Sequence, residues 1–272
     1  MTALGVSRKS LERRHRNSIR ALLKTARDLP DRPSPDQIHD LRVAVRRIQV
    51  MRKLLPKTIR EFPDAKRFDL SLKSAMKATS QLRDVDTLME TLTADRRAPA
   101  ETMINLQNQR SDLAAGAKDA AAQLAQVPVP RIDWAPIRGK KVSKKLRKRV
   151  REQGRVATAL LEEVVADESK AAELHALRKE VKKLRYLMEL ADKSSPGVAM
   201  LADWQESLGA IHDLDVAVTY LQGKGPDFAK TVRALLRIRH SRYIGFVRMC
   251  VMSSGSLTKS RIRPTTLRSL SP

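Results

Sequence analysis

Cysteine, long apolar runs and acidic residues are all scarce in this chain, and the first two shortages exclude whole classes of protein. The single cysteine, Cys250, rules out an intrachain disulfide framework and is typical of a reducing compartment. No segment approaches the roughly 20 apolar residues that cross a membrane. The N-terminus becomes charged before a signal peptide could form. We therefore expect a cytoplasmic protein without a membrane-spanning segment.

Glycine and aromatic residues are also few, at 10 glycines and 3% aromatics. No GxxxxGK(S/T) phosphate loop and no GxSxG nucleophile elbow occurs. Runs with the period-two alternation of β-strands are absent. We expect an all-α protein that uses no cofactor, binds no metal and is not an enzyme.

What the chain does have is apolar residues at three- and four-residue spacing, the pattern of amphipathic helices. Proline and Gly-Ser clusters separate the periodic segments. The pattern predicts eight helices, at about 8–28, 35–55, 63–93, 99–126, 136–166, 168–192, 197–222 and 226–252. Residues 253–272 are polar, basic and without periodicity, which predicts a disordered tail.

The two halves of the chain look like copies of each other. His39, Arg42 and Val45 recur at the same offsets as His175, Arg178 and Val181. Further along, LRDVD (82–86) is echoed by IHDLD (211–215). A repeat of this size predicts an internal duplication. We therefore expect one four-helix half over residues 1–128 and a second over 129–252.

Basic residues outnumber acidic ones throughout, with 54 Lys and Arg against 30 Asp and Glu and a net charge of +24. Cutting the chain at Pro128 leaves +10 in the first half and +14 in the second. The excess charge therefore belongs to the helical body and is not confined to one tail. A surplus of this size favours a polyanionic partner.

The cations are placed on one face of each repeated helix. At 100° per residue, His175, Arg178, Lys182 and Arg185 share a face, and Leu177, Val181, Leu184, Leu187 and Met188 lie opposite. His39, Arg42 and Arg46 repeat the basic face, while Leu41, Val45, Ile48, Met51 and Leu55 repeat the apolar one. Similar basic rows run along the first and fifth predicted helices, at Arg13, Arg16, Arg20, Lys24 and Arg27 and at Lys144, Lys148, Arg151 and Arg155.

A phosphate polymer suits such rows, because it carries charge along its whole length. Single exposed ion pairs contribute only about 0.2–1 kcal/mol, but many together release counterions and bind tightly at low salt. His39 and His175 would gain proton affinity beside phosphates, so binding should strengthen as the pH falls toward 6.

Two pairs of carboxylates are the best candidates for a metal or acid–base site, Asp84 with Asp86 and Asp213 with Asp215. Side chains at i and i+2 on a helix point about 200° apart, which suits chelation poorly. We expect them to accept hydrogen bonds from Arg or Lys, or to cap a turn.

Four segments resemble the CHAD domain, the conserved-histidine α-helical domain: HDLRVAVRRI (39–48), LRDVDTL (82–88), LHALRKEVKKLRYLMEL (174–190) and LGAIHDLDVAV (208–218). The likeness covers about residues 8–250. It implies two pseudo-symmetric four-helix bundles around a basic groove or pore that binds inorganic polyphosphate. Family members can be directed to polyphosphate granules in bacteria.

The resemblance also implies which side chains contact the ligand. It assigns this role to His39, Arg42, Arg46, His175, Arg178, Lys182 and Arg185, with Arg47 and Lys183 at the second basic position of each motif. From the basic rows we add Arg16, Arg20, Lys148 and Arg155. The halves differ at two places, since Gln49 stands where the second motif has Arg185, and His212 stands where the first half has Arg83.

Three alternatives stay open. Duplex DNA or RNA could be bound without regard to sequence, although few aromatic residues are available to stack on single-stranded bases, and no helix-turn-helix or zinc-finger pattern occurs. A metal-dependent polyphosphate phosphatase would need an acidic cluster, whereas the repeated motifs supply cations. The basic rows could also meet an acidic protein.

Removing residues 253–272 should leave most of the affinity for a phosphate polymer intact. This segment carries only four of the 54 Lys and Arg residues, so the basic rows survive its loss. Titration with long-chain polyphosphate measures the affinities of the full and the shortened chain. The salt concentration is about 150 mM, at which weak surface contacts are largely screened. A large loss in the shortened chain would locate the binding site in the tail.

Overall fold

The computed structural model describes residues 5–94 and 100–254, and this part is built from helices without a strand. The helices are α1 (Arg8–Arg27), α2 (Pro35–Arg52), α3 (Lys57–Arg60), α4 (Pro63–Ala94), α5 (Ala100–Gln126), α6 (Gly139–Ala166), α7 (Ala171–Glu189), α8 (Pro196–Gln222) and α9 (Ala229–Ser254). A short 3-10 helix, Pro226–Phe228, precedes α9. The all-α prediction is confirmed, and all eight predicted helices are present. The four-residue α3 was not predicted, and the tail predicted from residue 253 lies outside the described residues from 255 onward.

Several helices begin where side chains satisfy the first backbone N–H groups. Ser7 accepts a hydrogen bond from the backbone of Ser10 at the start of α1. Ser34 and Gln37 form a reciprocal capping box at the start of α2, and Pro35 takes the first helical position. Such caps stabilise a helix by about 1 kcal/mol. The helix with the first His-x-x-Arg motif therefore has a well-defined beginning.

The chain divides into two compact units between Arg149 and Val150. Sequence analysis placed the boundary at Pro128, before the linker. The structural division comes after Pro128 in the chain because the first turns of α6 pack on the N-terminal segment and so belong to the first unit. The Ser143 hydroxyl accepts a hydrogen bond from the backbone N–H of Val6 at 2.9 Å and donates to the carbonyl of Val6 at 3.1 Å.

In the first unit, α1, α2, α4 and α5 pack side by side, with α1 contacting both α2 and α5. Their inner faces bury the apolar residues that the periodicity predicted. The fully buried members from these helices include Leu11, Leu22, Ile38, Leu41, Ile48, Phe68, Leu72, Leu82, Ala121 and Leu124. Burial of each larger side chain contributes about 1.5–3 kcal/mol.

The second unit has its own apolar core, which combines the last turns of α6 with α7, α8 and α9. Its buried members include Val164, Leu177, Val181, Leu208, Ile211, Phe246 and Cys250. The Tyr243 hydroxyl donates to the carbonyl of Val164 at 2.8 Å, and Trp204 packs edge-on against Phe246. These contacts tie α9 to α6 and to α8. No helix in either described range is long and apolar enough to cross a membrane.

One cation of α2 is part of the core. Arg52 is 2% exposed and binds both carboxylate oxygens of Asp69, at 2.5 and 3.1 Å. It also donates to the carbonyl of Ala65 at 3.0 Å and lies over the ring of Phe68. Because a buried charge is tolerated only when paired, Arg52 ties α2 to α4 and is not available to a ligand.

His15 is also buried, although it stands in a strongly basic helix. Its ring packs edge-on against Trp134, with the ring centroids 5.6 Å apart. Its Nε2 atom has no hydrogen-bond partner. Burial, aided by the charge of Arg52, lowers the pKa of His15 from 6.5 to about 4. The residue is therefore neutral at physiological pH and belongs to the core.

Replacing His15 with Phe should make the protein less sensitive to acid. Between pH 6.5 and 4 the unfolded chain protonates His15 and the folded chain does not, so folding loses stability as the pH falls through this window. From the two pKa values, the loss at pH 4.5 is about 2–3 kcal/mol. Urea unfolding of the unsubstituted protein and of H15F at pH 7.5 and 4.5 measures this loss. An equal decline of the free energy of unfolding in the two proteins would contradict the burial of a neutral His15.

Candidate functional site

Both helices with a His-x-x-Arg motif pack their predicted apolar face inward. In α2, Ile38, Leu41, Val45, Ile48 and Met51 are buried. In α7, Leu177, Val181 and Leu187 are buried, and Leu184 and Met188 pack against the same core from partly exposed positions. The opposite faces therefore present the basic residues, as the helical spacing predicted.

In the first unit, the predicted ligand residues differ in how far they reach solvent. His39 and Arg47 are exposed, and Arg46 is half-buried. Arg42 is only 8% exposed and donates from Nη1 to the carbonyl of Met76 and to the Thr79 hydroxyl, both at 3.1 Å. Because these contacts fix it against α4, Arg42 also ties the helices together.

In the second unit, the motif histidine meets a histidine of the next helix. The Nδ1 atoms of His175 (α7) and His212 (α8) are 3.1 Å apart, and the ring centroids are 4.3 Å apart. Arg178 and Lys182, both predicted ligand residues, are half-buried beside the pair, and Lys179 is exposed. Sequence analysis treated His212 only as a departure from the first half, and its place beside His175 was not predicted.

The electrostatic environment of this pair is positive. Burial, followed by the charges of Arg178, His175, Lys182 and Lys179, lowers the pKa of His212 to about 4. Burial and the same three cations lower the pKa of His175, against a weaker opposing effect of Asp215. A cluster that disfavours protonation of its own histidines favours a bound anion.

Two other predicted residues of α7 already have acidic neighbours. Arg185 lies 3.3 Å from Glu189 and stacks over the ring of Tyr186. Lys183 is exposed and donates to Glu180 at 2.6 Å. Both remain cationic, but a polyanion would compete with these carboxylates for them.

The predicted cations on α1 and α6 all lie at the surface. Arg20, Lys148 and Arg155 are exposed, as is Arg16, which donates to Glu12 at 2.9 Å. The division at Arg149 assigns Lys148 to the first unit and Arg155 to the second. The basic row of α6 is thus shared between the two units.

A further cationic cluster in the first unit was not predicted. The Lys145 ammonium donates to the carbonyl of Leu55, just beyond the end of α2, at 2.9 Å. Burial lowers the pKa of Lys145, and the charges of Arg60 and Arg149 lower it further. Arg60 stands on the unpredicted α3, so no periodic signal in the sequence could have indicated this cluster.

An Asp–Arg pair in each unit braces the helix that carries the motif. Asp86 accepts from Arg110 at 2.6 Å, and Asp215 accepts from Arg239 at 2.8 Å. In each pair, the Asp and the Arg are 24 residues apart in the chain. Arg110 also donates to the carbonyl of Pro33, and Arg239 to Glu168, so each pair reaches the segment just before α2 or α7.

Comparison with known proteins identifies the family of the chain. The model of the CHAD domain family matches residues 13–222. The chain belongs to the CHAD domain family. A similar fold occurs in the crystal structure of the CHAD domain from the plant Ricinus communis, with a TM-score of 0.55 and 19% identity, over 97% of this chain and 96% of that chain. Among curated proteins, no relative matches the chain.

Membership of the CHAD family confirms the resemblance seen in the four sequence segments. The matched region contains all of α2, α4, α7 and α8, the helices that carry those motifs. At 19% identity, the likeness to the plant domain shows the fold and assigns no residue a role.

The carboxylates of the CHAD motifs act as structural acceptors at Asp86 and Asp215, as predicted. Each is bound to an Arg of the last long helix of its unit. Across the two described ranges, no three His, Cys, Asp or Glu side chains are grouped so that they could hold a metal ion. The Asp–Arg pairs thus position the basic helices.

Replacing Asp86 with Asn should destabilise the protein more than replacing Asp215 with Asn. The Asp86 side chain is 1% exposed and that of Asp215 is 28% exposed, and Arg239 keeps Glu168 as a second partner. We expect a loss of about 3 kcal/mol for D86N, as for a broken buried pair, and about 1 kcal/mol for D215N. Denaturant unfolding measures both losses.

The exposed Asp112 of α5 supplies the control, because D112N makes the same chemical change at the surface. Its unfolding free energy should stay within about 0.5 kcal/mol of the unsubstituted protein. Equal effects of D86N and D112N would contradict the bracing role of the first Asp–Arg pair.

Proposed function

We propose that this CHAD protein binds inorganic polyphosphate through the cations of α2, α7, α1 and α6, and leaves the polymer chemically unchanged. The observation that carries the proposal is the cluster around His175 and His212. Burial, aided by the charges of Arg178, Lys179 and Lys182, lowers the pKa of both histidines. A bound phosphate would relieve the repulsion among these partly desolvated charges.

The spacing of the cations suits a linear polymer. Successive basic residues on one helix face recur every three or four positions, roughly 5–6 Å apart. An Arg guanidinium offers a planar fork to phosphate oxygens, and a Lys ammonium offers a compact charge. With about six phosphates contacted, log K should fall with log salt with a slope of about −4.

Polyphosphate is favoured over nucleic acid by the family and by the use of the aromatic residues. Phe68, Tyr186, Trp204, Tyr243 and Phe246 are buried, whereas Phe62 is exposed. Few rings are therefore available to stack on bases, which is the usual source of affinity for single strands. Duplex DNA is the remaining competitor, because its backbone presents the same charged groups.

The use of the acidic and nucleophilic groups supports the proposal of binding without hydrolysis. Asp86 and Asp215 are bound to arginines. Burial raises the pKa of the Cys250 thiol to about 12, so it stays protonated and is a poor nucleophile. We expect no release of orthophosphate from polyphosphate with added magnesium or manganese. In a cell, we expect the protein in the cytoplasm, at polyphosphate granules where these form.

Affinities for long-chain polyphosphate, duplex DNA and single-stranded RNA at about 150 mM salt test the proposal. We expect polyphosphate to bind most tightly. The first-unit variant R46A/R47A and the second-unit variant K182A/K183A should each lose at least about tenfold in affinity, which corresponds to about 1.4 kcal/mol. Arg42 is left unchanged, because its contacts with Met76 and Thr79 would confound loss of binding with loss of packing.

Matched controls remove the same charge elsewhere in each unit. K66A/R67A changes exposed residues of α4, and R233A/R237A changes exposed residues of α9. Their affinities should fall by no more than about threefold, through the long-range field alone. Losses equal to those of the site variants would refute the site assignment, and tighter binding of DNA would refute polyphosphate as the preferred ligand.

A further inference from the structure

The contact between His175 and His212 limits how many protons the two rings can hold. Their Nδ1 atoms are 3.1 Å apart, a hydrogen-bond distance at which one ring donates and the other accepts through its lone pair. If both Nδ1 atoms carried hydrogens, the two hydrogens would point at each other and the contact would break. In this geometry the pair therefore carries at most one positive charge, shared as Nδ1–H···Nδ1.

The charged groups around the pair come from three helices. Arg178, Lys179 and Lys182 of α7 repel a proton on either ring. Asp215 of α8 attracts one weakly, because its carboxylate is already bound to Arg239 of α9. Asp213 adjoins His212 in the sequence. Without a ligand, burial and these cations together keep the pKa of each ring below its ordinary value.

A bound phosphate polymer would reverse the sign of this local field. Phosphates contacting Arg178 and Lys182 would bring negative charge close to the imidazoles and raise their proton affinity. The first unit has no second titratable histidine at this place, because the position aligned with His212 is Arg83. An Arg stays charged at all relevant pH values. The titratable pair is thus a property of the second unit.

We propose that binding of a phosphate polymer to the cations of α7 transfers one proton from solvent to the His175–His212 pair, so that the second unit binds the polymer more tightly as the pH falls. This inference rests on the proposed function, and it names His212 as a further binding residue. By linkage, uptake of one proton allows the affinity to rise by at most about tenfold per pH unit. The proton comes from the buffer and returns to it when the polymer leaves.

Calorimetric titration with long-chain polyphosphate tests the proposal. The internal phosphates of a long chain stay ionised, so proton uptake can be assigned to the protein. Titrations at pH 7.5, 6.5 and 5.5, each in two buffers of different ionisation enthalpy and at one ionic strength, give the number of protons taken up. We expect up to one proton per complex and an affinity that rises by about three- to tenfold per pH unit.

The substitution H212R separates the proton effect from charge. It installs in the second unit the residue that the first unit has at Arg83. Compared in a background that carries H39Q, which removes the uptake expected at His39, the variant should bind at pH 7.5 at least as tightly as its parent, with its affinity nearly independent of pH and no proton uptake. H175Q, the second variant, should lose the proton uptake as well, and thermal unfolding establishes that both variants are folded.

His240 offers a matched control, because it is an exposed histidine that contacts Glu168 outside the predicted site. H240Q should keep the full proton uptake. Uptake that persists in folded H39Q/H212R, or disappears in H240Q, would overturn the proposal. If the unsubstituted protein binds polyphosphate equally at pH 5.5 and 7.5 without proton uptake, the proton linkage alone fails. If it binds polyphosphate at none of these pH values, the proposed function fails.

Discussion

Repulsion between like charges is the constraint on which the rest of this structure depends. Cations recur at helical spacing along α1, α2, α6 and α7, and each such pair destabilises an isolated helix by a few tenths of a kcal/mol. The apolar face of the same helix opposes this cost. In α7, Leu177 and Val181 are fully buried, and each contributes about 1.5–3 kcal/mol. Packing therefore outweighs repulsion and holds the basic face in place for a ligand.

Three carboxylates brace the basic helices. Asp69 holds Arg52, the last residue of α2, inside the first unit. Asp86 and Asp215 hold Arg110 and Arg239, which reach the segments that lead into α2 and α7. Other carboxylates, those of Glu12, Glu180 and Glu189, pair with Arg16, Lys183 and Arg185 of the basic rows, and a polyanion would compete with them.

The two units carry related motifs but differ in the chemistry around the motif histidine. In the first unit Arg42 is buried against α4 and bound to Thr79, and the aligned position of the later motif is Arg83. In the second unit the motif histidine meets His212, so a titratable group stands where the first unit has a permanent cation.

The helices, the apolar and basic faces of α2 and α7, and membership of the CHAD family could all be predicted from the sequence, because periodicity and motif spacing are local properties. The tertiary structure decided which basic residues are available. Arg52 and His15 lie in basic helices, yet their partners come from distant segments, Asp69 in α4 and Trp134 in the linker. The pairing of His175 with His212, 37 residues apart, is likewise set by the packing of α7 on α8. Burial and pKa depend on neighbours that only folding brings together, and for that reason spacing along one helix could not reveal them.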